Sequence, residues 1–263
     1  MLKLAERINT IPGKFTLQDS LKSSSISQVF LCTLNNTKAV IRFDLPSASL
    51  LAIDRRNELI LLKSIQHLRI APRILYQDTV QGLMIWEFVE GDQFLLNSAN
   101  QESSLQSLGS TLRVIHGTST PKQSKDIFSE SLHLYKNLLE DSSHESLVHK
   151  TLSLYNELTA DGINYVLSHN DLNKGNILWN QQCYFLDWEY AGLNHPGFDI
   201  ASLVRTYRLN KNEFHELLSG YSMDNNCFNF DQITQWVVFS ELLDEVWEKS
   251  VSLLAKNTFN KAN

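Results

Sequence analysis

One stretch, which runs from residue 167 to residue 191, constrains the fold of this chain more than any other. Its first half has the spacing His-x-Asp-x-x-x-x-Asn, formed by His169, Asp171 and Asn176, and its second half contains Asp187. Two apolar runs separated by a short polar turn lie between Asn176 and Asp187, and such runs predict a β-hairpin. Because a hairpin folds the chain back on itself, we expect Asp187 to lie close to Asn176.

These side chains suit phosphoryl transfer, in which a divalent cation neutralises phosphate charge and a carboxylate orients the incoming hydroxyl. We assign Asp171 as the catalytic carboxylate, and Asn176 and Asp187 as Mg²⁺ ligands. His169 belongs to the catalytic loop, which it is predicted to fix through a hydrogen bond. The spacing matches the H-R-D-L-x-x-x-N pattern of protein kinases. Asp-Trp-Glu stands here where kinases have Asp-Phe-Gly.

The N-terminal third predicts strands and one helix. The first two strands are joined by a serine-rich turn that includes Ser24 and Ser25, which in a kinase would cover the nucleotide phosphates. The turn contains no glycine, so an ordinary surface loop is an equal alternative. Arg42 ends a Val-Ile-Arg strand and is predicted to bind phosphate. Glu58, near the start of the following helix, is predicted to orient Arg42, unless it only interacts with the helix dipole.

A further predicted strand ends at a hinge. Main-chain groups at Glu87 and Val89 are predicted to contact an adenine edge there, although a plain strand end would have the same sequence. Beyond the hinge the apolar spacing is helical. We therefore predict an α+β, two-lobed fold, with an antiparallel-sheet lobe over residues 1–91 and a mainly helical lobe over residues 92–263.

Composition limits the partners and the compartment. The net charge of −6 argues against nucleic acid and is compatible with a cationic substrate. The three cysteines are widely spaced without a CxxC pair, so neither a disulfide framework nor a zinc site is predicted. Neither a signal peptide nor a membrane-spanning apolar run is recognisable. We expect a cytoplasmic protein with no membrane partner, and the sequence leaves its oligomeric state open.

Across nearly its whole length, the chain resembles the choline/ethanolamine kinase branch of the aminoglycoside phosphotransferase-like superfamily, which has a two-lobed, protein-kinase-like fold. The motifs that carry this resemblance are Val40-Ile41-Arg42, Asp54-Arg55-Arg56-Asn57-Glu58, Glu87-Phe88-Val89-Glu90-Gly91, His169-Asn170-Asp171-Leu172-Asn173-Lys174-Gly175-Asn176 and Asp187-Trp188-Glu189-Tyr190-Ala191. The resemblance implies ATP- and Mg²⁺-dependent phosphorylation of a hydroxyl on a small cationic amino alcohol, with choline or ethanolamine as the first candidates.

The resemblance also implies a substrate pocket. Tyr190 matches a tyrosine that borders the choline pocket in the family, and Glu189 precedes it in the same motif. Asn173 takes the place of a pocket-lining polar residue two positions after the catalytic aspartate. Trp236 and Phe239 resemble the Trp-x-x-Trp of eukaryotic choline kinases, in which aromatic faces attract a quaternary ammonium. The same aromatic spacing on a helix also fits core packing.

Several alternatives to choline stay open. The serine-rich turn departs from the family pattern, and Arg205-Thr206-Tyr207 stands where choline kinases carry an acidic residue. Bacterial thiamine kinases share the Asp-Trp-Glu-Tyr-Ala block, and thiamine is also a cationic primary alcohol. An aminoglycoside phosphotransferase is a further enzyme alternative. A degenerate kinase that binds nucleotide without turnover is an alternative of a different class, and such a protein would have no physical need for Asp171.

Overall fold

A sheet-rich part and a helix-rich part follow one another along this protein. The computed structural model describes residues 4–51, 53–96, 101–121, 126–140, 142–221 and 228–262, with side chains for all of these except residues 49, 50 and 255–262. A five-stranded antiparallel sheet comes first and mostly helical structure follows. The predicted α+β class with a sheet lobe and a helical lobe is therefore confirmed. The boundary at residue 91 stays a prediction.

The first sheet has the strand order β1-β2-β3-β5-β4. Its strands are β1 (Phe15–Ser23), β2 (Ser27–Leu34), β3 (Thr37–Asp44), β4 (Ile74–Asp78) and β5 (Leu83–Glu87). Helix α1 (Leu4–Ile8) precedes the sheet, and helix α2 (Arg55–Ile65) follows β3. Asp54 caps the start of helix α2, because its carboxylate accepts hydrogen bonds from the main-chain N–H groups of Arg56 and Asn57. Gly82 supplies the positive φ of 61° in the turn between β4 and β5.

The rest of the described chain is mostly helical. Its helices are α3 (Gln101–His116), α4 (Ile127–Leu139), α5 (Glu145–Leu158), α6 (Pro196–Tyr207), α7 (Lys211–Tyr221) and α8 (Phe230–Ala262). Its short strands are β6 (Asp92–Gln93), β7 (Val166–Ser168), β8 (Ile177–Asn180), β9 (Gln182–Phe185) and β10 (Gly192–Asn194). The sequence did not lead us to predict α7. None of the described helices is both long enough and apolar enough to cross a bilayer.

Two pairs of short strands position the motifs of the central stretch. Strands β8 and β9 form the predicted hairpin, with Ile177 opposite Phe185. Strands β7 and β10 pair antiparallel, with Ser168 opposite Gly192. Because the chain leaves β7 and enters β10 at the same edge, residues 169–176 lie beside residues 187–191.

An aromatic core lies beneath this edge. Its rings come from α4, α5, α6 and α8, and they meet edge to face or stacked, in arrangements that favour aromatic pairs. The rings are those of Phe128, Tyr155, Phe198, Trp236 and Phe239. This packing fixes the helices that support the catalytic loop, and it decides which aromatic side chains remain available to a ligand.

Candidate active site

Asp171 is held by the amides of its own loop. Asn173 Nδ2 donates to Asp171 Oδ1 at 3.0 Å, and Asn176 Nδ2 donates to Asp171 Oδ2 at 2.7 Å. Burial, with the charge of Asp187 as the next cause, raises the pKa of Asp171 to about 7. A carboxylate with a pKa near neutrality is suited to accept a proton from a hydroxyl at physiological pH.

Asp199 braces the catalytic loop. Its two carboxylate oxygens accept the main-chain N–H groups of His169 at 2.7 Å and Asn170 at 2.8 Å. The imidazole of His169 is fully buried, and its Nε2 lies 2.9 Å from the carbonyl oxygen of Leu186. Burial lowers the pKa of His169, which favours the neutral ring. His169 therefore ties the catalytic loop to the strand before Asp187, as the sequence predicted.

The hairpin brings Asn176 and Asp187 together. Leu186 N donates to the carbonyl oxygen of Asn176 at 2.8 Å, directly before Asp187. Asp187 has a left-handed backbone with φ of 61°, and its Oδ2 lies 3.2 Å from the ammonium of Lys22. The carboxylate thus already faces a cation across the cleft.

The side-chain oxygens of Asn176 and Asp187 suit Mg²⁺. The described residues contain no group of three or more His, Cys, Asp or Glu side chains that could hold a metal ion by themselves. Mg²⁺ is usually bound through one or two protein oxygens and completed by substrate phosphates and water, so a protein-only cage is not required. Asn176 and Asp187 provide such oxygens on neighbouring loops.

Arg42 forms the predicted pair with Glu58, and the pair is buried. Nη1 and Nη2 of Arg42 donate to the two Glu58 oxygens at 2.8 and 2.6 Å, and Nε of Arg42 donates to Asp44 at 3.2 Å. Arg55 then connects Glu58 to Glu189, with 3.0 and 2.9 Å from its Nη1 to the two carboxylates. A continuous ionic chain therefore runs from β3 through α2 to the Asp187 motif.

Three main-chain amides of the serine-rich turn, those of Ser24, Ile26 and Ser27, are bonded within the turn, whereas that of Ser25 is not. Ser24 Oγ accepts the N–H groups of Ile26 at 3.3 Å and Ser27 at 3.1 Å, and Ser24 N donates to Ser27 O at 2.9 Å. The carbonyl of Ser25 accepts a hydrogen bond from the Ser47 hydroxyl. Ser24 lines the cavity beside Asp171, whereas Ser25 does not. Contacts of Ser24 and Ser25 with phosphate stay a prediction. The hydrogen bonds within the turn argue against it.

The predicted hinge follows the last strand of the large sheet. Glu87 N donates to Arg73 O at 2.9 Å, and the Glu87 carboxylate accepts from Arg73 N and Nε at 3.0 and 3.3 Å. The side chain of Glu87 is therefore engaged within the sheet lobe. Val89 lies two residues beyond β5 and is partly buried. Adenine contacts by the main chain at Glu87 and Val89 stay a prediction.

A cavity of about 290 Å³ opens next to Asp171. Tyr190 and Glu189, which the family resemblance places at the substrate pocket, line it together with Asp187, and their contact with a substrate stays a prediction. The further lining residues that bear on its chemistry are Lys22, Phe128, Tyr135, Asp244 and Trp247. Burial, followed by the charge of Asp187, raises the pKa of Glu189 to about 7. The cavity therefore combines aromatic walls with an excess of carboxyl groups.

Trp236 and Phe239 were wrong as pocket residues. Trp236 is 3% exposed and Phe239 is fully buried, and neither lines the cavity. Trp236 stacks on His195 at 4.8 Å between ring centroids, and Phe239 stacks on Tyr155 at 5.3 Å. Their spacing reflects the apolar face of α8 packing into the core, which was the alternative explanation of the same pattern.

Asn173 also lies outside the cavity wall. Its Nδ2 contacts Asp171, and its Oδ1 accepts the N–H of Gly175 at 2.9 Å. The amide therefore orients the catalytic carboxylate and shapes the loop, and the structure does not bring it to the aromatic wall.

The sequence did not identify several residues of the cavity wall, among them Lys22 and Phe128. Tyr135 comes from α4, and Asp244 and Trp247 come from α8. Trp247 belongs to the same helical stripe as Trp236, three turns further along. The stripe marks the buried face of α8, but it carries no information on where along the helix the core gives way to a cavity.

Comparison with known proteins agrees with this geometry. A sequence profile of a phosphotransferase enzyme family matches residues 20–234. The protein LicA of Haemophilus influenzae is 26% identical over 228 residues, which cover 82% of this chain and 67% of that protein. Choline kinase LicA from Streptococcus pneumoniae has a similar structure, with a TM-score of 0.75 at 20% identity, over 95% of this chain and 89% of that one.

An ethanolamine kinase of Plasmodium vivax is similar in structure as well. The TM-score is 0.70 at 16% identity, and the match covers 95% of this chain and 78% of the other. At such identities the likeness concerns the fold. The predicted protein-kinase-like fold is confirmed by both structures.

Proposed function

The chain belongs to the phosphotransferase enzyme family, and we propose that it transfers the terminal phosphate of ATP to the hydroxyl of a small cationic amino alcohol, choline or ethanolamine. The observation that carries this proposal is the cavity beside Asp171. Its walls combine the rings of Tyr135, Tyr190 and Trp247 with the carboxyl groups of Glu189 and Asp244. Glu189 also pairs with Arg55, and Asp244 also pairs with Arg205. Aromatic faces and nearby negative charge together attract a substituted ammonium group.

Each residue of the site has a task in this reaction. Asp171 accepts the hydroxyl proton of the acceptor and orients its oxygen. Asn173 and Asn176 keep that carboxylate in place through the two amide hydrogen bonds. Asn176 and Asp187 would hold Mg²⁺, which neutralises phosphate charge when bound. His169 and Asp199 fix the loop that carries Asp171.

The size of the cavity favours a small acceptor. Ligand pockets commonly enclose about 300–1,000 Å³, and this cavity, at about 290 Å³, lies at the small end. An amino alcohol with one charged head group fits such a space better than an aminoglycoside of several rings. Two structural relatives are named as a choline kinase and an ethanolamine kinase, which supports the same acceptor class.

An acceptor panel tests the proposal. Release of ADP from Mg²⁺ and ATP is measured with choline, ethanolamine, thiamine, homoserine and an aminoglycoside, each at several concentrations. We expect choline or ethanolamine to give the highest kcat/KM. A preference for thiamine or the aminoglycoside would contradict the assigned acceptor and leave phosphotransferase chemistry in place. ATP binding without turnover of any acceptor would favour the degenerate-kinase alternative.

A further inference from the structure

The terminal phosphates of a nucleotide need cations from the protein, and Arg42 is the first candidate. It binds Glu58 and Asp44, and it lines a small cavity together with Asp187. In protein kinases a strand cation that pairs with a helix glutamate in this way also holds nucleotide phosphates. Because Glu58 and Asp44 offset part of the charge of Arg42, a second cation at the cleft would add to phosphate binding.

The turn between β1 and β2 offers one main-chain amide, that of Ser25, that is not bonded within the turn. In a glycine-rich loop, main-chain N–H groups point at phosphate oxygens. Here the N–H groups of Ser24, Ile26 and Ser27 are all bonded within the turn. A phosphate that relied on these amides would first have to break the turn.

Lys22 provides a second cation at the cleft. It lies one residue before the end of β1, and in the described part of the chain it is the only lysine or arginine that lines the cavity. Its ammonium is 3.2 Å from Asp187 Oδ2, and its side chain is 59% exposed. The Asp187 side chain is 23% exposed, but the ammonium end of the pair is open to solvent, so Lys22 can exchange Asp187 for another anion.

The Lys22 ammonium is a cation at neutral pH, as lysine side chains are. From strand β1 it contacts the carboxylate of Asp187, which we assign to Mg²⁺.

We infer that Lys22 binds the terminal phosphates of the nucleotide together with Arg42, and that its ion pair with Asp187 is the resting position of this side chain. The inference rests on the proposed function, because it assumes a nucleoside triphosphate in the cleft. When a metal-bound nucleotide occupies the cleft, the ammonium exchanges the Asp187 oxygen for phosphate oxygens, a stronger charge-assisted contact.

Binding of two nucleotides that differ in their phosphates tests the inference. Affinities for AMP and for Mg²⁺ with a non-hydrolysable ATP analogue are measured by calorimetry on the wild type, Lys22→Met and Lys22→Arg. Lys14→Met is the matched control, because Lys14 is an exposed lysine directly before the other end of β1. We expect Lys22→Met to lower the affinity for the triphosphate analogue at least about tenfold. The affinity for AMP is expected to stay within about twofold of the wild type, and Lys22→Arg is expected to recover most of the lost affinity.

Three results would overturn the inference. They are unchanged binding of the triphosphate analogue to Lys22→Met, an equal loss for AMP, or an equal loss in Lys14→Met, which would indicate a long-range charge effect. The proposed function fails separately. If the acceptor panel shows no turnover while the triphosphate analogue still depends on Lys22, the phosphate contact stands and the amino-alcohol kinase does not.

Discussion

At the scale of single residues, two tryptophans of one helix have different surroundings. Trp236 is almost fully buried against His195, whereas Trp247 lines the cavity next to Asp171 together with Tyr190. Both lie on the apolar stripe of α8, so their positions in the sequence look equivalent. The packing of α4, α5 and α6 against α8 separates a core ring from a pocket ring.

We predict that Trp247→Leu raises the KM for choline about tenfold and changes kcat little, because an aromatic face contributes about 0.5–2 kcal/mol to binding a cation. Trp236→Leu serves as the matched variant. It is expected to lower the free energy of unfolding by about 3 kcal/mol and to leave the choline KM near the wild-type value. Steady-state kinetics and chemical denaturation of both variants check this. Equal effects of both on KM would contradict the assignment of the pocket.

At the scale of elements, helices α3 and α7 cross at two glycines. A Cβ added to Gly109 would meet the main chain of Leu217 and Tyr221, and a Cβ added to Gly220 would meet the main chain of Gln106. The two helices can approach this closely only because both residues lack a side chain. It also explains why α7 is difficult to recognise in the sequence, since its short apolar stripe ends at a glycine that looks like a helix terminator.

We predict that Gly220→Ala lowers the free energy of unfolding by at least about 1 kcal/mol, because the clash outweighs the higher helix propensity of alanine. Ser219→Ala is the control, since Ser219 is an exposed neighbour in the same helix. It is expected to leave stability unchanged within about 0.5 kcal/mol. Urea titrations of the two variants make the comparison, and a Gly220→Ala protein as stable as the control would refute the crossing.

At the scale of the whole molecule, buried charges connect the sheet lobe to the catalytic motifs. Glu58 of α2 binds Arg42 of β3 through both oxygens, and Arg55 joins Glu58 to Glu189. The charged side chains of these ion pairs are largely buried, so removal of one would leave its partner as an unpaired buried charge. The chain thus ties the position of α2 to the Asp187 motif.

We predict that Glu58→Gln lowers the free energy of unfolding by about 3 kcal/mol, because it leaves the buried guanidinium of Arg42 with one carboxylate partner. Glu87→Gln is the control. It removes one carboxylate from an ion pair with Arg73 that is 35% and 62% exposed, and such pairs contribute less than about 1 kcal/mol. Guanidinium titrations measure both, and equal losses would show that burial does not strengthen the dependence on Glu58.

The sequence predicted local structure and chemistry better than distant packing. The hairpin between Asn176 and Asp187 and the pair of Arg42 with Glu58 follow from short-range patterns, and both are present. The pocket wall depends on which helices meet beside Asp171. Tyr135 and Trp247 are over a hundred residues apart, so periodicity within either helix could not bring them together.

The central claim is that Asp171 promotes phosphate transfer to an amino alcohol. The most direct measurement is ³¹P NMR of the wild type, Asp171→Asn and the surface control Asp231→Asn, each with Mg²⁺, ATP and choline or ethanolamine. We predict that the wild type and the control form a new phosphate monoester together with ADP, while Asp171→Asn, folded by circular dichroism, forms it at least about a hundredfold more slowly. Equal product formation by Asp171→Asn, or release of only inorganic phosphate by the wild type, would contradict the claim.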